Sequence, residues 1–290
     1  MNNKSMSLAG MLIVVVTTVV ATQVAPRRDW PVYGGDAGGS KYSPLTAITP
    51  ANVATLRKVW EWKTGEQPNK ERGTFPGAFQ NTPLMIDEVL YVSTPYNRVA
   101  ALDAATGREL WTYDPRAYDD GQPASGQGFV HRGVAAWRDG SGALRIFLNT
   151  RHRLIALDAV SGAPITSFGT GGEIDLSEGL LWPINKKHYA NTSPPVVYRD
   201  LVILGSGVGD RLTYKNDPPG DVRAFDARTG KMAWTFHTIP QPGEFGNETW
   251  QDGAWKFTGH TNVWAPMTLD AERGLLYMPV STPSNDYYGG

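Results

Sequence analysis

The sequence predicts an all-β fold, a β-propeller of four-stranded blades, on three observations. Its 290 residues include 32 Gly and 21 Pro, too much punctuation for long helices and enough for many tight turns. Ten Trp, twelve Tyr and nine Phe supply an aromatic core that disordered chains lack. The third observation is an internal repeat. Leu102-Asp103-Ala104-Ala105-Thr106-Gly107 is followed by Trp111, eight residues after the Asp. Phe225-Asp226-Ala227-Arg228-Thr229-Gly230 is followed by Trp234 at the same distance. Leu157-Asp158-Ala159-Val160-Ser161-Gly162 has Thr166 in place of the Trp, and Leu269-Asp270-Ala271-Glu272-Arg273-Gly274 is a degenerate fourth copy. The Asp-to-Asp steps of 55, 68 and 44 residues are intervals of a blade with insertions, not of a helical repeat.

Each motif residue has a physical reason. The Asp side chain can accept backbone N–H groups two or three residues on, building an Asx-type turn. Gly supplies the positive φ that reverses a tight hairpin. The Trp then falls on the next strand, where a wide ring can cover a neighbouring sheet. Units also open with a hairpin of their own. Pro83-Leu84-Met85-Ile86 turns at Asp87-Glu88 into Val89-Leu90-Tyr91-Val92, and Pro195-Val196-Val197-Tyr198 turns at Arg199-Asp200 into Leu201-Val202-Ile203-Leu204. Two-residue polar turns between short β-branched runs signal hairpins. Residues 56–62 read as a strand of a partial unit ahead of these. Roughly four blades result, which fits a four-bladed propeller or part of a larger one. The ending at Tyr288-Gly289-Gly290, without a closing strand, favours the larger ring.

Composition narrows the function. With 27 Lys and Arg against 28 Asp and Glu, the net charge is −1, which argues against nucleic acid as a partner. The absence of cysteine excludes disulfides, zinc–thiolate sites, covalently attached c-type haem and a lipid-modified N-terminal Cys. At the N-terminus, Lys4 precedes an uncharged stretch over residues 8–21, and small residues surround a cleavage point after Ala21, ahead of Arg27-Arg28-Asp29. Fourteen residues are short of a membrane span of about 20 but suit a secretory h-region. Residues 1–21 are therefore expected to be a signal peptide, with an uncleaved anchor as the alternative, and residues 22–290 an exported, periplasmic propeller domain.

From Asp29-Trp30-Pro31-Val32-Tyr33-Gly34-Gly35 onward, the chain resembles the quinoprotein dehydrogenases that use pyrroloquinoline quinone (PQQ), especially the membrane-type glucose dehydrogenase branch. The resemblance runs through Arg132-Gly133-Val134-Ala135, Thr192-Ser193-Pro194-Pro195 and Gly220-Asp221-Val222-Arg223-Ala224-Phe225-Asp226. It continues in Pro242-Gly243-Glu244-Phe245 with Glu248-Thr249-Trp250, and in Asn262-Val263-Trp264-Ala265. It implies an eight-bladed propeller, of which this chain holds about the first half, with PQQ and Ca²⁺ or Mg²⁺ near the axis. It also implies oxidation of a sugar or alcohol, with electrons passed to a membrane quinone or other carrier. The alternative is a non-catalytic propeller scaffold of the cell envelope built from PQQ-like repeats.

A planar tricarboxylate needs an aromatic floor and cationic or N–H donors. Trp264 matches the family's floor tryptophan, although its residue type equally suits a propeller core. Arg132 matches the arginine that pairs with PQQ, and its planar fork suits a carboxylate. Thr150 and Ser206, hydroxyls at strand ends, match PQQ-contacting positions, and Thr94 ends its strand in the same way. Gln80 falls where related alcohol dehydrogenases carry a PQQ-contacting Glu. Asp210 matches the metal-binding carboxylate, a hard ligand suited to Ca²⁺. His131 receives no role. Asp119, Asp120, Glu244 and Glu248 read as solvated loop carboxylates. The family's catalytic aspartate is expected beyond residue 290, so no catalytic base is assigned and the chain alone is expected to be inactive.

Overall fold

A computed structural model of the chain describes residues 29–124, 126, 128–208 and 214–284. The predicted signal segment and Asp210 lie outside these residues. Strands β1 (Leu84–Ile86), β2 (Val89–Ser93), β3 (Val99–Asp103) and β4 (Glu109–Tyr113) form one antiparallel sheet in chain order. A second sheet repeats the order with β5 (Ala135–Arg138), β6 (Leu144–Thr150), β7 (Arg153–Asp158) and β8 (Glu173–Asp175). After the short β9 (Tyr189–Ala190) come β10 (Val196–Tyr198) and β11 (Leu201–Leu204), then β12 (Gly207–Val208), which pairs back to β9. With β13 (Val222–Asp226) and β14 (Met232–Phe236), β10 and β11 complete a third sheet, ordered β10-β11-β13-β14. The hairpin β15 (Thr268–Asp270) and β16 (Leu275–Tyr277) follows.

These sheets are blades. The first strand of the third, β10, lies against both β5 and β15, so first strands line up side by side. The apolar cores lie between neighbouring sheets. Leu84, Tyr91, Ile146, Leu148 and Leu157 join the first to the second. Phe147, Phe168, Tyr189, Leu204 and Phe225 join the second to the third. Each such side chain contributes about 1.5–3 kcal/mol on burial.

The hairpins form where expected. Asp87 and Glu88 have φ of 50° and 64°, as a two-residue turn matching the strand twist requires. In the three outer turns the carboxylates work alike. Asp103 Oδ1 accepts from Thr106 N and Oγ1 (2.8 and 2.7 Å), Asp158 Oδ1 from Ser161 N and Oγ (2.8 and 2.7 Å), and Asp226 Oδ1 from Thr229 N and Oγ1 (both 2.8 Å). For Asp103 and Asp158 the side-chain hydrogen bond is the main reason the carboxyl titrates below its usual range.

At two seams a Trp covers the Gly of the next blade, while Trp234 stays 37% exposed. A Cβ on Gly162 would lie 2.5 Å from Trp111 Cε3, and Trp111 Nε1 donates to Ala159 O at 3.0 Å. Trp60 repeats both relations with Gly107 (2.5 Å) and Ala104 O (3.2 Å). The third seam, lacking its Trp at Thr166, is closed differently. Arg145 Nη1 donates to Ala227 O (3.2 Å) and Arg228 O (2.9 Å), so a guanidinium replaces an indole at the equivalent carbonyl.

Two expectations need correction. Residues 56–62 form no strand; Trp60 and Trp62 instead anchor this segment on the first blade, Trp62 Nε1 donating to Glu109 Oε2 at 3.0 Å. Residues 269–274 are not a fourth outer turn. They connect β15 to β16, a first hairpin, because the same Asp chemistry (Arg273 N to Asp270 Oδ1, 2.9 Å) serves either turn. The described residues thus hold three complete blades and two strands of the next.

Candidate functional site

The outer Asp–Gly turns and the first hairpin turns share one end of the blades. Arg132 and Trp264 precede first strands, while Thr150 and Ser206 close or follow second strands, so antiparallel geometry puts all four at the opposite end. Gln80, ahead of β1, joins them.

Arg132 and Trp264 meet there. The Arg132 guanidinium lies 5.2 Å from the Trp264 ring centroid, within cation–π range. Both depend on the turn preceding β10. Arg132 N and Nη1 donate to Thr192 O at 3.0 and 3.1 Å. Thr192 Oγ1 and Ser193 Oγ donate to Trp264 O at 3.0 and 2.7 Å. Sequence reasoning quoted Thr192 and Ser193 without giving them this task; paired hydroxyls ahead of Pro194-Pro195 were the available signal. Glycines let the strands approach. A Cβ on Gly205 would strike Val263 O at 2.3 Å, and one on Gly220 would strike Thr261 O at 1.9 Å. Burial holds the Arg132 guanidinium below its usual pKa. Trp264 keeps 36% of its surface exposed, and that exposure leaves part of the residue available to a ligand.

Arg132 and Gln80 line one cavity of about 620 Å³, within the ~300–1,000 Å³ usual for ligand pockets. Ser206 and Trp264 line a separate slot of about 10 Å³. Ser206 Oγ is buried without a hydrogen-bond partner among the described residues, a state that costs about 1–3 kcal/mol until something fills it. The other two strand-end hydroxyls are engaged. Thr150 Oγ1, fully buried, donates to Asn97 Oδ1 at 2.8 Å, and Thr94 Oγ1 donates to Glu66 Oε1 at 2.5 Å. Neither lines the cavity or the slot.

His131 is a buried structural residue that the sequence reading left without a task. Its ring hydrogen-bonds Ser93 Oγ (3.0 Å) and Asn149 O (2.8 Å), tying two blades together, and burial lowers its pKa to about 4. Glu244 bonds His237 Nδ1 at 2.8 Å, and Asp119 pairs with Arg116 at 2.8 Å. Among the described residues no group of three or more His, Asp or Glu is arranged to hold a metal, and none of their helices is long and apolar enough to cross a membrane.

Over residues 30–290 the sequence matches the family described as "PQQ: Glucose/ethanol/alcohol dehydrogenase, beta-propeller domain". The chain belongs to this family. It is 30% identical over 302 residues to the quinoprotein glucose dehydrogenase of Escherichia coli (strain K12), covering 99% of this chain and 36% of that relative. It is 35% identical over 261 residues to the quinohemoprotein alcohol dehydrogenase ADH IIB of Pseudomonas putida, covering 86% of this chain and 33% of that one. Among solved structures, the quinohemoprotein alcohol dehydrogenase of Comamonas testosteroni superposes with a TM-score of 0.67 at 28% identity, over 87% of this chain and 35% of that one. The chain therefore spans about a third of the length of these relatives. In this chain Arg132, Gln80, Ser206 and Trp264 stand on one end of adjacent blades, with Thr150 at the same end but outside the cavity and the slot.

Proposed function

We propose that this chain forms the cofactor-holding part of a PQQ-dependent dehydrogenase that oxidises a sugar or alcohol in the periplasm, passing electrons to a membrane quinone or other carrier. One observation carries the reading: the Arg132 guanidinium over the Trp264 ring, beside a cavity large enough for a tricyclic ligand.

The residues present fit PQQ. A planar aromatic tricarboxylate asks for an indole face, a guanidinium and neutral donors; Arg132 and Gln80 offer two of these in the cavity, and Trp264 and Ser206 the others in the slot that the Arg132–Trp264 contact joins to it. The unpartnered Ser206 hydroxyl supplies a donor with no competing protein acceptor. Thr150 donates to Asn97 Oδ1 at 2.8 Å, and Asn97 Nδ2 in turn donates to Phe129 O at 2.7 Å, between the cavity-lining Gly128 and Val130. The chemistry supplied by the group, when bound, is two-electron oxidation of an alcohol carbon. When PQQ is bound, Arg132 would hold a carboxylate and Trp264 would offer the ring a plane, while Thr192 bonds to both residues. Asp210 is the proposed ligand of the accompanying Ca²⁺ or Mg²⁺.

Titrating the chain with PQQ in the presence of Ca²⁺ and following tryptophan fluorescence tests the reading. Saturable quenching that weakens in Trp264→Ala is expected. A chain that binds no PQQ, with or without Ca²⁺, overturns it. In the complete enzyme, an aldose or alcohol should drive PQQ-dependent reduction of an artificial dye.

A further inference from the structure

Resting on the PQQ reading above, we infer that Gln122 is a second carboxylate-recognising residue of the cofactor cavity, offering its amide N–H groups to the anion that Arg132 also serves. Gln122 lines the same 620 Å³ cavity as Gln80 and Arg132. Its amide is oriented by the fold. Phe75 N donates to Gln122 Oε1 at 2.9 Å, which commits the oxygen and leaves the nitrogen as the free end. Among the described residues that nitrogen donates no hydrogen bond. Gly128 makes room for it: a Cβ there would lie 2.9 Å from Gln122 Nε2, at a φ of +60° that disfavours side chains.

The wall's chemistry selects the ligand class. Its described lining residues include one cation, Arg132, the amides of Gln80 and Gln122, and no carboxylate. Donors beside a guanidinium, with no acidic side chain among the described lining residues, favour an anion with several oxygens. Gln122 also joins two segments, the stretch ahead of β1 through Phe75 and the Gly-rich stretch after residue 120, so binding at its nitrogen would brace both sides of the cavity.

Gln122→Glu tests this directly. The variant keeps the side chain's size and an acceptor for Phe75 N–H, but puts a carboxylate oxygen where the donor stood. PQQ titration of the wild-type chain, read by tryptophan fluorescence, comes first, and its failure refutes the PQQ reading itself. Where the wild type binds, Q122E should raise Kd at least tenfold, with an unchanged unfolding midpoint without cofactor and a penalty that shrinks as salt rises. Wild-type affinity in Q122E overturns the inference. If Q122E lowers the midpoint, Gln122→Met decides: weaker binding at wild-type stability supports the role, and unchanged binding removes it.

Discussion

The Arg132 guanidinium sits 5.2 Å from the centre of the Trp264 ring, and Thr192 holds both through its carbonyl and hydroxyl oxygens. Residues 132 positions apart in sequence thus meet in one cluster. Arg132→Lys should weaken PQQ binding by about 1–2 kcal/mol, because an ammonium cannot reproduce the planar fork. A double-mutant cycle with Trp264→Ala should give a coupling of about 0.5–2 kcal/mol. Additive losses in calorimetric titrations would show that the two act separately.

Ser206→Ala should weaken affinity without weakening the fold. Removing a buried hydroxyl that bonds to nothing should leave the unliganded chain as stable as the wild type or up to about 1 kcal/mol more stable. PQQ affinity should fall by about 1 kcal/mol. Urea unfolding measures the first effect and equilibrium dialysis the second; a variant that loses stability would mean the hydroxyl has a protein partner.

At the seam between the first and second blades, Trp111→Ala should cost about 3 kcal/mol. Gly162→Ala should cost about 1–3 kcal/mol, since its Cβ would strike the Trp111 ring at 2.5 Å from a φ of +72°. The double variant should lose less than the sum, because removing the ring removes the clash. Chemical denaturation of the three variants checks this.

His131 gives the fold a defined response to acid. Folded, it titrates near pH 4; unfolded, near its ordinary 6.5. The unfolded chain therefore binds more protons between those values, so stability is fully present above about pH 6.5 and declines as pH falls towards 4. The difference between these two values corresponds to about 3 kcal/mol. His131→Gln should flatten that part of the stability–pH curve, and an unchanged slope would show that other groups govern it.

What could be read from the sequence was local chemistry. Asp103, Asp158 and Asp226 build their turns from atoms within four residues, so spacing alone located them. The same locality explains the misreading of residues 269–274, where an Asp turn works equally well between first and second strands. Trp264 and Arg132 were reachable through the motifs around them. Other features depend on distant partners. Thr150 is engaged by Asn97, 53 positions away, and Arg145 replaces a seam tryptophan by reaching Ala227, 82 positions away. His131 is buried because Ser93 and Asn149 converge on it from two different blades.

The grip of Thr192 and Ser193 falls on the main-chain oxygen of Trp264, leaving its indole out of the bargain. Support and surface are thereby uncoupled: whatever planar group occupies that position inherits the same anchored loop. A lineage could therefore trade one ring for another, retuning which flat molecules it accepts, while the architecture beneath stays where it was.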